Sequence, residues 1–232
     1  MRRLLFAAVA GLMVFTGGCL LNDSKDDSDT TKEPASIGEL TMGGGVFYLK
    51  EEGYAFAEFG TFFDGLPYDK ARVFVNGLEL KNSGGIFTND VQISPALIVT
   101  GKPIRMVVYA LGDSSVHEVA LPETPSIVKP AKGAQFTTGK DLPIEIDYPG
   151  NHQVISMALT NQDNVAVAVE TNEKKLTMTV PGVKLPNTGE CLLTAVSTNT
   201  SGEIPEGGFN INKQYVLFTV SSMVMQSVTF AK

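Results

Sequence analysis

Residues 72–81 read Arg-Val-Phe-Val-Asn-Gly-Leu-Glu-Leu-Lys, which is the clearest local structural pattern in the chain. Its centre, Asn76-Gly77, is the dipeptide that type I′ hairpin turns prefer, because both turn positions need a positive φ angle. A two-residue turn at this point brings four apolar side chains to one face of the hairpin: Val73, Val75, Leu78 and Leu80. The other face then carries Arg72, Phe74, Glu79 and Lys81. The stretch therefore predicts a β-hairpin with one apolar and one mainly polar face.

Short alternating runs separated by Gly, Pro, Asn and Asp continue along the chain from residue 37, and no useful window has helical periodicity. In the first half the predicted strands are 54–63 with a bulge at Gly60, a short strand flanked by Val91 and Ile93, 104–110, and 115–121. In the second half they are 142–148, 155–160, 165–169, 176–180, 190–198 and 215–231. The last run is long for one strand, so we expect it to turn near Ser221-Ser222. Together these runs predict an all-β protein.

Two prolines, Pro122 and Pro125, interrupt this series and disfavour a continuous central strand. We interpret them as a junction between a β-domain of residues 37–122 and a second of residues 123–232, and expect a cut near the prolines to release two fragments. Seven or more short strands in roughly 90–105 residues is typical of an immunoglobulin-like β-sandwich.

The second of these domains carries the clearer signature. It has a Pro-rich start, a strand ending in Tyr148-Pro149-Gly150, and the runs Leu-Thr-Met-Thr-Val-Pro at 176–181 and Thr-Gly-Glu-Cys-Leu-Leu-Thr-Ala-Val-Ser-Thr-Asn at 188–199. In these features residues 124–220 resemble the bacterial Ig-like or fibronectin type III-like modules of envelope proteins. The core Trp and the intersheet disulfide of such modules are absent. The resemblance implies two tandem Ig-like antiparallel β-sandwich domains. Residues 37–122 match by strand count alone, so another small β-fold stays open there.

The N-terminus reads as a secretory signal over residues 1–18. Arg2 and Arg3 precede an uncharged apolar run at 4–15, which is shorter than the about 20 residues that span a bilayer. The small residues 16–18 and Cys19 resemble the lipobox of bacterial lipoproteins, in which the signal is cut before a lipidated Cys. Thr16 departs from the usual Leu, and a plain signal peptide is the alternative. The resemblance implies a lipid anchor at Cys19, and Leu20 in place of Asp favours the outer membrane.

Residues 19–36 follow the signal as a tether. Between residues 22 and 36 five acids and two lysines occur without any large apolar residue. Such a stretch cannot bury enough surface to offset its ordering entropy, so it predicts a flexible spacer. The Asp spacing lacks the turn Gly and final Glu of an EF-hand, which argues against a calcium site.

Residues for catalysis are scarce. The two histidines are interpreted as a strand side chain, His117, and a loop residue, His152, and Cys191 as a buried structural thiol. The chain has no G-x-S-x-G, H-E-x-x-H, C-x-x-C, P-loop or dinucleotide motif. Three glycine runs are interpreted as flexible turns: 43–45, 84–85 and 207–208. Carboxylates that could form a hydrolytic pair, without any spacing that selects one, are Glu51, Glu52, Asp64, Asp69 and Glu118. No catalytic, cofactor or metal site is predicted.

Composition limits the functional classes. The chain has 232 residues, 43% hydrophobic and 19% charged, so it can bury a core. A formal net charge of −7 argues against nucleic-acid binding, which needs a basic patch. The leading expectation is a non-enzymatic envelope lipoprotein that binds or scaffolds an envelope protein partner. The alternatives are a carbohydrate-binding module and a carboxylate-dependent hydrolase. Stacking on a sugar would use Tyr54, Tyr68 or Tyr109.

Overall fold

The computed structural model describes residues 40–63, 65–89, 97–98, 102–148, 150–161, 165–185, 189–201 and 215–231. These residues form β-strands joined by turns, with a short 3-10 helix at Gly182–Lys184 and no α-helix. The all-β prediction is therefore confirmed. Within the same ranges, no helix is long and apolar enough to cross a membrane.

The first half of the chain contributes nine strands of the described ranges. They are β1 (Leu40–Leu49), β2 (Tyr54–Phe63), β3 (Leu66–Pro67), β4 (Arg72–Val75), β5 (Leu78–Glu79), β6 (Lys81–Ser83), β7 (Ile86–Thr88), β8 (Ile104–Ala110) and β9 (Asp113–Val119).

The second half contributes eight more. They are β10 (Ser126–Lys129), β11 (Gln135–Thr137), β12 (Leu142–Asp147), β13 (Val154–Thr160), β14 (Val165–Thr171), β15 (Lys175–Val180), β16 (Gly189–Thr200) and β17 (Tyr215–Ala231).

These strands form three sheets. The largest, here called the spanning sheet, has the order β14-β13-β16-β17-β1-β2-β7-β6, with β3 added to β2 and β11 to β17. The first cover sheet is β5-β4-β8-β9, and the second cover sheet is β10-β12-β15. Buried side chains of β1, β2 and β17 pack against those of β4 and β8 to form the first core. Those of β13, β16 and β17 pack against β12 to form the second core. The predicted sandwich architecture is confirmed in both halves.

Strand β17 belongs to both cores. It runs unbroken for 17 residues, and its residues 219–230 pair antiparallel with β16 without a register shift, so the turn expected at Ser221-Ser222 is wrong. The run lacks Gly and Pro, and nothing local forces it to turn. Phe218 and Val220 lie in the first core, and Val228 and Phe230 in the second. Because these residues are all even-numbered, both cores lie on the same face of β17.

The domain division at residues 122 and 123 stays a prediction. This division assigns all of β17 to the second domain, whereas the first half of that strand pairs in parallel with β1 over Thr41–Leu49. β11 also pairs in parallel with β17, and the other pairings of the described strands are antiparallel.

A belt of buried polar groups separates the two cores, where residues 120–124 cross the spanning sheet. Asn199 donates to the Ala120 carbonyl at 3.0 Å, and Ser197 donates to the Glu123 carbonyl at 2.5 Å. The hydroxyls of Thr124 and Ser222 lie 2.6 Å apart. Such buried hydrogen bonds satisfy groups that would otherwise be costly to remove from water. The junction is thus bonded to the sheet.

The hairpin at Asn76-Gly77 forms as predicted. Its two turn residues have φ angles of 48° and 82°, and Val75 pairs with Leu78. Leu80 donates its N–H to the Val73 carbonyl at 2.8 Å. The placement of Lys81 is wrong, because the chain leaves the first cover sheet at Leu80 and residue 81 begins β6 of the spanning sheet.

Two interpretations of glycines are also wrong. Residues 43–45 lie inside β1 rather than in a turn, where the backbone of β17 approaches so closely that a Cβ on Gly45 would collide with Thr219. Gly60 is not a bulge, since β1 and β2 pair in unbroken register with Gly43 opposite Gly60. Gly84-Gly85 does form a turn, with φ angles of 63° and 87°. Val91, Ile93 and the run at 207–208 lie outside the described residues.

Candidate binding surface

The histidines and the thiol lie apart from one another in the fold. His117 lies mid-strand in β9, half-buried, with Nε2 3.3 Å from the Ser115 hydroxyl, and burial lowers its pKa. His152 is a loop residue whose ring centroid lies 6.0 Å from that of Tyr148. Cys191 is buried in β16 within the second core, and burial raises the pKa of its thiol. The placements predicted for all three are confirmed.

The carboxylates named from the sequence are not gathered at one described point. Glu51, in the turn between β1 and β2, pairs with Lys132 at 3.2 Å, and Glu118, on β9, pairs with Arg105 at 3.6 Å. Glu52 and Asp69 are exposed in connecting segments. Asp64 and Cys19 lie outside the described residues, so the predicted lipidation site stays a prediction. Within the described part of the chain, no three His, Cys, Asp or Glu residues are arranged to hold a metal ion.

The three tyrosines considered for stacking differ in exposure. Tyr54 packs against a cluster that includes Phe47 and Leu49, and Tyr68 packs against the first core. Tyr109 is 47% exposed on the outward face of β8. Of the three, Tyr109 is the exposed one, whereas Tyr54 and Tyr68 are partly buried.

Tyr109 belongs to a small apolar surface, here called the aromatic face, on the outward side of the first cover sheet. Cross-strand pairing places Phe74 beside Val107, and Val107 beside Val116, in one row across three strands. Tyr109 lies two residues beyond Val107 on the same face. The rings of Phe74 and Tyr109 meet edge to face with centroids 5.6 Å apart. Val116 is 50% exposed, while Val107 is buried between its neighbours.

Two ion pairs flank the aromatic face. Arg72 binds Glu79 through two hydrogen bonds of 2.7 and 3.0 Å, and its guanidinium lies 5.0 Å from the Phe74 ring centroid. Hydrogen bonding to Glu79 raises the pKa of Arg72, and the same bond lowers the pKa of Glu79. On the next row along the strands Arg105 lies opposite Glu118. Both pairs are exposed, so they add little to stability but keep charged donors and acceptors beside the apolar rows.

The size of the aromatic face limits what it can bind. Three strands about 4.8 Å apart and the two-residue step of about 6.8 Å from Val107 to Tyr109 give roughly 10 by 7 Å between backbone positions. This is smaller than the few hundred Å² of an extended apolar patch. The surface suits a contact centre in which an aromatic ring is surrounded by polar groups, as in protein interfaces, or a ligand the size of one or two sugar rings.

The sequence contained part of this site. Tyr109 was one of three candidates, and the hairpin pattern placed Phe74 on the polar face beside Arg72 and Glu79. Val116 is not among the residues that the sequence predicts for a site, although its alternation with His117 indicates that it lies on the opposite face of the strand.

No protein-family model matches the chain, and no curated protein matches it. Among solved structures, the fibronectin(III)-like modules of Clostridium thermocellum CbhA match 46% of this chain and 93% of their own, at 19% identity and a TM-score of 0.29. A 1.5-MDa bacterial ice-binding adhesin matches 83% of this chain and 66% of its own, at 8% identity and a TM-score of 0.26. The human OSCAR ligand-binding domain matches 82% of this chain and 97% of its own, at 12% identity and a TM-score of 0.25. At TM-scores below 0.5 these likenesses carry no argument about ligand or partner.

Proposed function

We propose that this protein is a non-enzymatic binding protein of the bacterial envelope. A lipid at Cys19 and the tether of residues 19–36 would hold the β-structure beyond the membrane. There the aromatic face would bind an envelope protein. The observation that carries the proposal is the exposure of Tyr109 and Val116 on a face where the charged side chains are already paired with each other.

Apolar surface on the aromatic face is unfavourable in water. Covering Tyr109 and Val116 with a partner removes apolar surface from water, which favours binding. Tyr and Arg are also enriched among the residues that contribute most of the binding energy of protein interfaces. The ion pairs around them can form a polar rim that exchanges hydrogen bonds with a partner.

The chain offers a matched control for testing this surface. Val116 and Val128 are both exposed strand valines, at 50% and 42%, but Val128 lies on the second cover sheet. Wild type, the double variant Tyr109→Ala with Val116→Ser, and Val128→Ser would each be immobilised and exposed to solubilised envelope. Proteins retained by the wild type would be identified and their affinity measured. We expect the double variant to bind them at least about tenfold more weakly, and Val128→Ser to bind as wild type. Equal retention by all three forms would overturn the role of the aromatic face.

A carbohydrate ligand is the second candidate, because Tyr109 is exposed and lies beside charged donors and acceptors. In this case wild type should be retained by protease-treated envelope polysaccharide, and Tyr109→Ala should not. Retention that depends on protein and survives glycan removal would favour the first proposal.

The anchor is tested separately. Cells supplied with labelled palmitate should label the wild type, and Cys19→Ser should remain unlabelled. Label on Cys19→Ser would contradict lipidation at this residue without affecting the binding proposal.

A further inference from the structure

The outermost strands of the three sheets differ in how well they are protected from pairing with another chain. Unpaired strand edges attract other strands, and proteins guard them with short length, charge or proline. β5 and β6 are two and three residues long. β10 has four residues and is followed by Pro130, and β15 begins with Lys175 and ends before Pro181. β9 carries His117 and Glu118.

The protections of β14 lie towards its two ends, as a bulge beyond Val167 and the charge of Glu170. It reads Val-Ala-Val-Ala-Val-Glu-Thr, without Gly, Pro or any charge before Glu170. It forms one end of the spanning sheet, and no other described strand pairs with its outer side. Val167 and Val169 face the second core but are only partly buried against it, while Ala168 and Glu170 are exposed on the opposite face. The core is therefore incompletely covered at this edge.

The usable part of the edge is five residues long. The pairing of β13 with β14 is regular from residue 167 to residue 171 and shifts register beyond Val167, where the strand is bulged. A bulge interrupts the ladder locally, so a new strand would pair with residues 167–171.

We propose that β14 pairs antiparallel with β14 of a second copy of this chain, about a two-fold axis at Val169. In this register Val167 lies opposite the partner's Thr171, and Ala168 opposite the partner's Glu170. The facing valines then continue the second core across the axis. The spanning sheets of the two copies join into one sheet, and neither copy keeps a free β14 edge.

Charge and symmetry select this arrangement. Parallel pairing in register would place Glu170 opposite the partner's Glu170, and like charges that face each other across strands are destabilising. Antiparallel pairing centred on Ala168 would place the bulged residue 166 opposite the partner's Glu170 and shorten the regular ladder. Pairing about Val169 uses all five regular residues and avoids both costs. Because the contact is isologous, it closes at a dimer.

Engineered cysteines test the register directly in the full chain in its native envelope. Two tagged forms, Ala168→Cys and Glu170→Cys, would be expressed together and separately under mild oxidation. Directly opposite residues lie within the Cα separation that a disulfide requires. We expect a cross-linked dimer that contains both tags when the forms are expressed together, and little dimer from either alone. The control pair, Thr177→Cys and Thr179→Cys on the exposed face of β15, should give none.

Charge substitutions at Ala168 provide a second measurement of the dimer. Because Ala168 is exposed, these substitutions should not prevent folding. Ala168→Glu places two like-charge pairs across the axis, and Ala168→Lys places two opposite-charge pairs there. In sedimentation experiments we expect Ala168→Glu to weaken the dimer about 2- to 30-fold and Ala168→Lys to preserve or strengthen it. No mixed cross-link, cross-linking equal to the β15 control, or equal weakening by both charges would overturn the proposal. Assemblies that keep growing with concentration would indicate open aggregation and overturn it as well.

Discussion

Replacing Phe218 by Ala is the sharpest test of whether β17 belongs to both cores. Phe218 is 0% exposed and lies opposite Gly44, with its ring centroid 5.8 Å from that of Phe59. Deleting a fully buried Phe side chain costs about 3–5 kcal/mol, because apolar contacts are lost and the cavity collapses only partly. For a chain of this size such a loss lowers Tm by roughly 6–20 °C.

Which strands lose hydrogen-exchange protection in Phe218→Ala distinguishes the two ways of dividing the chain. A division at residue 122 puts Phe218 in the second domain, whereas the structure puts it in the first core. Amide hydrogen exchange should therefore show loss of protection in β8, at Met106 and Val108, which lie in the same core. Phe230→Ala, in the second core, should reduce the protection of β12.

The exposed residue Ser227 supplies the control, since Ser227→Ala in the same strand should change stability by no more than about 0.5 kcal/mol. Unchanged protection of β8 in Phe218→Ala, together with loss of protection in β12, would refute the assignment of β17 to both cores.

Three further measurements follow from single buried groups. Burial lowers the pKa of His117, so the unfolded chain binds more protons than the folded chain below about pH 6.5. Stability should therefore be full above that pH and fall as the pH drops, and His117→Gln should reduce the fall in Tm between pH 7.5 and 5.5. An equal fall in Tm for wild type and His117→Gln would contradict this reasoning. The Tyr148 hydroxyl is buried and has no hydrogen-bond partner in the described structure, so Tyr148→Phe should raise the free energy of unfolding by up to about 1–3 kcal/mol. A lower free energy of unfolding for Tyr148→Phe, measured by chemical denaturation, would show that the hydroxyl is paired. Cys191 is buried with a raised pKa, so a thiol reagent should label it only as the chain unfolds, and rapid labelling of the native protein would contradict its placement.

Local strand patterns could be predicted from the sequence because their cause is local. Alternation placed Leu142, Ile144 and Ile146 on one face, and all three are buried in the second core. The Asn76-Gly77 turn was predictable for the same reason, since two adjacent residues with positive φ set the register of the hairpin.

Long-range pairing could not be predicted in this way. The Thr219 hydroxyl donates to the Gly44 carbonyl at 3.1 Å across 175 residues of sequence, and nothing in either local pattern points to the other. Three consecutive glycines are typical of a turn in the local sequence. In β1 they instead allow the close approach of β17, which excludes a Cβ at Gly45, and this tertiary contact cannot be read from the local pattern. The length of the last run favours a turn near Ser221-Ser222, whereas the Ser222 hydroxyl lies 2.6 Å from that of Thr124 on the junction segment, a tertiary contact that the local pattern does not indicate.

The candidate site shows the same limit. Alternation could place Tyr109 on a strand face, but choosing it over Tyr54 and Tyr68 required knowing which face another sheet covers. Exposure is a property of the packed sheets and not of the strand that carries the residue.

Pairing through β14 would fix the direction in which the two aromatic faces of a dimer point. The first cover sheet packs on the spanning sheet through the first core, so the aromatic face points away from that sheet. A two-fold axis between antiparallel β14 strands stands perpendicular to the sheet and therefore keeps both cover sheets on the same side. A dimer of this kind would present two aromatic faces in one direction, held through β16, β17 and the bonded junction rather than through a flexible linker. On an envelope surface with repeated binding partners, the second contact would then be effectively intramolecular and would strengthen retention without any new contact within either site.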